Sequence, residues 1–202
     1  MSTPAEEFYS EERWQNWLDR LRESDLDPEE EESARLLLNL QDDVAIAIAK
    51  IIRAYEEEID EEEAIPELDA EGAIEELADL RSVVLAEPEI EDEEAALLLE
   101  RVQDSLVSAI YAADQYIAEG VAADASVAEY LRAAADAENE EEFDRALGLV
   151  AAAGTRVIDG EELDVSIAED LEYGLVTEWI NGLDSLQSAV SDPVVIEEDT
   201  DR

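Results

Sequence analysis

Apolar residues along this chain recur every three or four positions, the spacing that gathers them on one face of an α-helix. Glycine is scarce, β-branched runs are short, and Ala, Leu and Glu dominate, so helix is expected nearly throughout. Ser10 stands as the N-cap of a first helix, with Tyr9 and Trp14 placed for a hydrophobic staple. Trp14, Trp17, Leu18 and Leu21 then share one face, which reads as a docking surface. Asp27-Pro28-Glu29 is a strong second start, and the helix it opens should run from about 28 to 57. Leu37, Leu40, Val44, Ile48, Ile51 and Tyr55 form its inner face. Leu36, Ala45, Ala47 and Ile52 widen that face until the helix must be surrounded on most sides.

A small tandem follows, AIPEL at 64–68 and AIEEL at 73–77. Pro66 limits the first copy to a short turn, while the second opens a helix with Ile74, Leu77, Leu80 and Val84 on one side. Glu87-Pro88 ends it. Asp92 caps a second central helix over 93–119, with Leu99, Val102, Leu106, Ile110, Ala113 and Ile117 inward and Gly120 closing it. DASVAEYL (124–131) and DVSIAEDL (164–171) look alike, each with a capping box, Ser126 with Glu129 and Ser166 with Glu169. They are either a helical-hairpin repeat or two independent caps. Asn139 with Glu142 predicts a helix over 140–158, Asp159-Gly160 a turn, and Leu171 to Val190 the face of a last helix over 167–190. Gly148, Gly154, Gly174 and Gly182 fall within these two helices and predict that the pair packs closely.

The expected architecture is therefore all-α, a single-domain bundle of six to seven helices around two central apolar ones. Residues 1–24 would form a docking helix, 25–192 the bundle and 193–202 a flexible acidic tail.

Charge alters the picture of the environment rather than of the fold. The 202 residues include 59 acids against 12 Lys and Arg, a net charge of -47, yet 47% of the chain is hydrophobic. Disorder pairs high charge with low hydrophobicity, which is not the case here. Lys50 is the only lysine among the cations. Such a chain repels itself in dilute buffer, whereas at 1 M salt the Debye length falls to about 3 Å and the repulsion fades. The acids are spread through every segment, which favours adaptation to a salt-rich cytoplasm over a single acidic face that mimics nucleic acid. No basic cluster is present to grip phosphates, so direct nucleic-acid binding is not expected. The acidic start lacks an apolar targeting core, and no stretch approaches the roughly 18 apolar residues of a membrane span. A cytoplasmic location follows.

Within the greasiest run, LLLNLQDDVAIAIAKI at 36–51, stand two adjacent carboxylates, Asp42 and Asp43. At about 100° per residue they fall on one narrow stripe with Arg35, Asn39, Lys50 and Arg53, interrupted by Ile46. Gln41 points the other way and needs a partner if it is buried. The stripe could be the wet side of a core helix, with Glu31–Arg35 and Arg53–Glu57 pairs along it, a mixed-charge partner strip, or a carboxylate metal site.

The absence of His and Cys removes the familiar nucleophile–base pairs, His-ligated zinc and carboxylate–His di-iron sites. No glycine-rich phosphate loop occurs. Oxygen-ligated Mg²⁺ or Mn²⁺ is what remains. Glu57, Glu58 and Glu61 spell EExxE, and Glu76 with Asp79 spells ExxD. Together these resemble the divalent-metal motif of all-α nucleotide pyrophosphatases of the MazG type. That resemblance implies a Mg²⁺-dependent hydrolase using Glu58, Glu61, Glu76 and Asp79. A wider resemblance covers the whole chain. FYSEERWQNWLDRL, SARLLLNLQDDVAIAIAKI and EYGLVTEWINGLDSLQSAV are similar to a haloarchaeal acidic helical family of unknown function, DUF2150. It implies a salt-loving archaeal cytoplasm and carries no activity. The main expectation is a non-enzymatic module without cofactor that binds a protein partner or a second copy of itself. Its candidate contact residues are Trp14, Trp17, Asp42, Asp43, Lys50, Arg53 and Trp179. The alternatives are the hydrolase and an acidic mimic that occupies a basic surface.

Overall fold

The computed structural model describes residues 8–24, 26, 30–60 and 68–191, with 57–60 described by their backbone alone. Among these residues the chain forms seven α-helices, one 3₁₀ helix and no strand. The α-helices are α1 (Glu11–Glu23), α2 (Glu31–Asp60), α3 (Ala70–Val84), α4 (Glu93–Glu119), α5 (Val127–Asn139), α6 (Phe143–Ile158) and α7 (Leu175–Ser191). The 3₁₀ helix spans Val165–Asp170.

Several ends obey local chemistry. The Ser10 side chain accepts the Arg13 N–H, and Tyr9 and Trp14 are both buried, as a staple requires. Asp69 and Asp92 cap α3 and α4 in the same way, and Ser126 and Glu129 complete a reciprocal capping box on α5. Gly120 closes α4 with φ 81°, a conformation that only glycine adopts without strain. The Asp27-Pro28-Glu29 start, most of AIPEL and the acidic tail lie outside the described residues.

The helices enclose one large apolar core, with a small separate cluster of Ala45, Ala49 and Ala189 between α2 and α7. Helix α4 packs against α2, α3, α6 and α7, and α2 against α3, α4 and α7, so both are central, and α7, which packs against α2, α4, α5 and α6, shares that place. Leu40, Ile48, Ile51, Leu99, Leu106 and Ile110 are among the most deeply buried side chains.

Three expectations are corrected. The last helix begins at Leu175 rather than near 167, and DVSIAEDL winds into 3₁₀ turns. There the Asp164 carboxylate accepts the Ser166 N–H, in place of the Ser166–Glu169 box. The two look-alike segments therefore build different structures. Helix α6 begins at Phe143, because Asn139 is the last residue of α5 and Glu141 reverses the chain at φ 62°. The glycines mark close approach to α4 rather than chiefly of α6 to α7. A Cβ on Gly182 would strike the Ser105 carbonyl, and one on Gly154 would strike Ala112 and lie 2.8 Å from Leu183. Gly174 precedes α7, and Gly148 has open space around it.

Candidate functional site

The two aspartates of α2 face different helices. Asp43 receives Arg13 and Trp17 from α1: Arg13 Nε donates to Oδ2 at 2.9 Å and Trp17 Nε1 to the same oxygen at 2.8 Å. Arg13 Nη2 closes the fork on Oδ1. The Arg13 guanidinium also lies 5.4 Å from the Tyr9 ring centre, and Arg20 lies 4.4 Å from that of Trp17. Burial and then the Asp43 charge push the Tyr9 phenol well above its usual value, although no hydrogen bond of normal geometry joins the two.

Asp42 turns toward α7 and accepts the Ser185 hydroxyl at 2.9 Å. Ser185 in turn accepts from Gln41 Nε2 at 2.8 Å, which also reaches the Asn181 carbonyl at 3.0 Å. The Gln41 oxygen accepts from Ser105 of α4 at 2.9 Å. Gln41 is 7% exposed, so its amide is buried and satisfied, as its place on the inner face demands. Beside this seam burial first, and the Asp42 charge second, raise the Asp184 carboxyl above the ordinary range.

Along the stripe Arg35 and Asn39 are exposed, as Asp42 is. Arg35 pairs with Glu31 at 2.9 Å, one helical turn away as expected, while the side chain of Glu57 lies outside the described residues. Lys50 and Arg53 are half-buried. Arg53, Ala49, Ile52 and Glu56 border a shallow groove closed on its far side by Ile158 of α6 and Val190 of α7. Glu56 accepts the Tyr116 hydroxyl at 2.6 Å.

Of the predicted contact residues, the fold joins Trp17 to Asp43 and sets Lys50 and Arg53 one turn apart on α2. Trp14 and Trp179 stand in the core, 2% and 6% exposed. For the metal reading, Glu76 is half-buried and Asp79 exposed on α3. The Glu58 side chain and Glu61 lie outside the described residues. Among the described residues no three acids gather closely enough to hold a metal ion.

The family model for an uncharacterized protein conserved in archaea, DUF2150, matches residues 7–199. The chain belongs to that family. No curated protein and no solved structure matches it. The DUF2150 match runs from before α1 to beyond α7, so the Asp43 clamp, the Gln41 seam and the α2 groove all lie within it. In this DUF2150 protein no helix among the described residues is long and apolar enough to cross a membrane.

Ser105, Ser185 and Glu138 escape a reading of the sequence, because a polar residue inside a helix does not announce which neighbour it meets. Glu138 of α5 accepts the Leu175 and Val176 N–H groups, at 2.5 and 3.1 Å, and so caps α7 from another helix. A Cβ on Gly174 would strike that carboxylate. The only local hint was the glycine.

Proposed function

We propose that this DUF2150 protein is a non-enzymatic interaction module of a salt-rich archaeal cytoplasm, docking a protein partner or a second copy along the outer stripe of α2. The observation that carries the reading is the groove beside Arg53, an apolar floor rimmed by a cation and a carboxylate. Lys50, the only lysine in a chain of net charge -47, lies one turn away on the same helix. Asp42 and Asp43 serve this surface indirectly, by fixing α7 and α1 against α2 and so setting the rim. A partner would meet Trp14 and Trp179 only if the bundle opened. The acid-rich, lysine-poor composition supports the high-salt setting.

Sedimentation and affinity capture from a haloarchaeal lysate, both in multi-molar KCl, test the proposal. We expect a defined oligomer or a partner in near-equal amount, lost in the double variant Lys50→Gln, Arg53→Gln while the helical circular dichroism spectrum is retained. A monomer that captures nothing, or an association indifferent to the double variant, overturns it.

A further inference from the structure

Helix α1 is a self-contained element. It spans 13 residues and its caps at both ends are local. The Ser10 side chain accepts the Arg13 N–H, and the Ser24 N–H and hydroxyl both return to the Arg20 carbonyl. Among the described residues no backbone–backbone hydrogen bond joins α1 to another element. Its departure would therefore leave the backbone ladders of the other helices intact.

An apolar face of Trp14, Leu18 and Leu21 seats it, together with long side chains that reach outward. Arg13 and Trp17 grip Asp43 of α2, and Arg22 reaches the Glu89 carbonyl. The Asp43 side chain is 16% exposed, so salt screens its pair with Arg13 less than it screens a surface pair. Between these ties the fit is loose. A crevice of about 1270 Å³ lies between Leu21, Leu26 and the connection at 87–92, and a second of about 400 Å³ separates Trp14 and Leu18 from Val83 and Pro88. The body of the bundle is built differently. There α4 meets α6 and α7 so closely that a Cβ on Gly154 or Gly182 would clash.

We infer that α1 is a latched strap, which lifts from the bundle as one unit while α4, α6 and α7 stay folded, with Asp43 as the latch. Lifting uncovers Trp14, Leu18 and Leu21, so the Trp14 face becomes reachable without global unfolding. The inference concerns a different element from the α2 groove and stands whether or not that groove binds a partner.

Hydrogen exchange of the full chain in multi-molar KCl tests it. A lone helix of 13 residues is marginal in water, so the α1 amides exchange once it lifts. We expect the amides from Gln15 to Glu23 to exchange through one common opening, more often than those of α4 and α6 and with little dependence on denaturant. Asp43→Ala should speed that exchange about tenfold and leave α4 and α6 unchanged. Asp42→Ala, next along α2 but bonded to α7, should leave α1 as it is. Trp17→Phe keeps a ring, loses the N–H donor and should speed α1 exchange by a smaller factor. Exchange of α1 at the rate of α4, a gradual fraying toward its first turn in place of one common opening, or an equal response to Asp42→Ala would overturn the inference. So would a Asp43→Ala variant in which every helix exchanges faster alike. If that variant does not fold, the wild-type comparison of α1 with α4 and α6 decides.

Discussion

Asp42 and Asp43 show how one residue of sequence separation becomes two different helix contacts. Neighbours on a helix point about 100° apart, so one carboxylate reaches α1 and the other α7. Asp184 faces the opposite situation, a carboxylate partly desolvated beside Asp42. Its raised pKa means that the folded state favours the proton, so the ionised form destabilises the fold at neutral pH. Asp184→Asn should therefore raise the melting temperature at pH 7, and the gain should shrink as pH falls through the raised folded value and be gone below the ordinary carboxylate range. Thermal scans across pH in constant KCl would check this. The glycines give a sharper contrast. Gly182→Ala forces a methyl into the Ser105 backbone and should cost about 1–3 kcal/mol. Gly148→Ala meets nothing within 4 Å and should stabilise by up to about 1 kcal/mol. Denaturant titration of both variants would separate the two kinds of helical glycine.

At the scale of elements, α4 and α5 begin where their own residues say they should, because their caps are local. Asp92 and Ser126 bond to N–H groups three residues ahead. Helix α7 differs in kind, since its first N–H groups are satisfied by Glu138, some 37 residues away in sequence. Glu138→Gln removes a negative charge from that helix terminus and should cost about 1 kcal/mol. Faster amide exchange at residues 175–178, with α5 unchanged, would confirm that the loss is at α7. The misplaced start of α6 comes from α5 running on through Asn139 to the reversal at Glu141, whereas that of α7 is a matter of competing caps. Motifs such as S-x-x-E specify a cap only if no competing carboxylate takes the N–H first, as Asp164 does at Ser166. The first helix is held by its apolar face and by the Asp43 clamp together, and Arg22 adds bonds to the Glu89 carbonyl at 3.0 and 3.2 Å.

For the whole molecule, charge and core oppose one another. A net charge of -47 surrounds an apolar core of ordinary depth, and net stabilities of domains are only about 5–15 kcal/mol. Dialysis from multi-molar KCl to dilute buffer should therefore unfold or swell the protein, as repulsion loses its screening. Circular dichroism and melting temperature should fall together on dialysis and recover when KCl is restored. An unchanged spectrum and melting temperature across that range would contradict it.

The all-helical class, the central place of α2 and α4 and most inward faces were legible in the sequence. Helical periodicity and the burial of apolar residues act within a dozen or so positions and do not depend on which helix lies opposite. Gln41 likewise declared its need for a partner, as the odd polar residue on an apolar face. Which partner it found, which helices the glycines admit, and where α7 starts were decided only by tertiary structure. Ser105, Ser185, Gly182 and Glu138 act across gaps of 37 to 144 residues, counted from Glu138 to Leu175 and from Gln41 to Ser185. A bond of that kind exists only after the helices have packed, because its free energy depends on a distance that the local sequence does not specify.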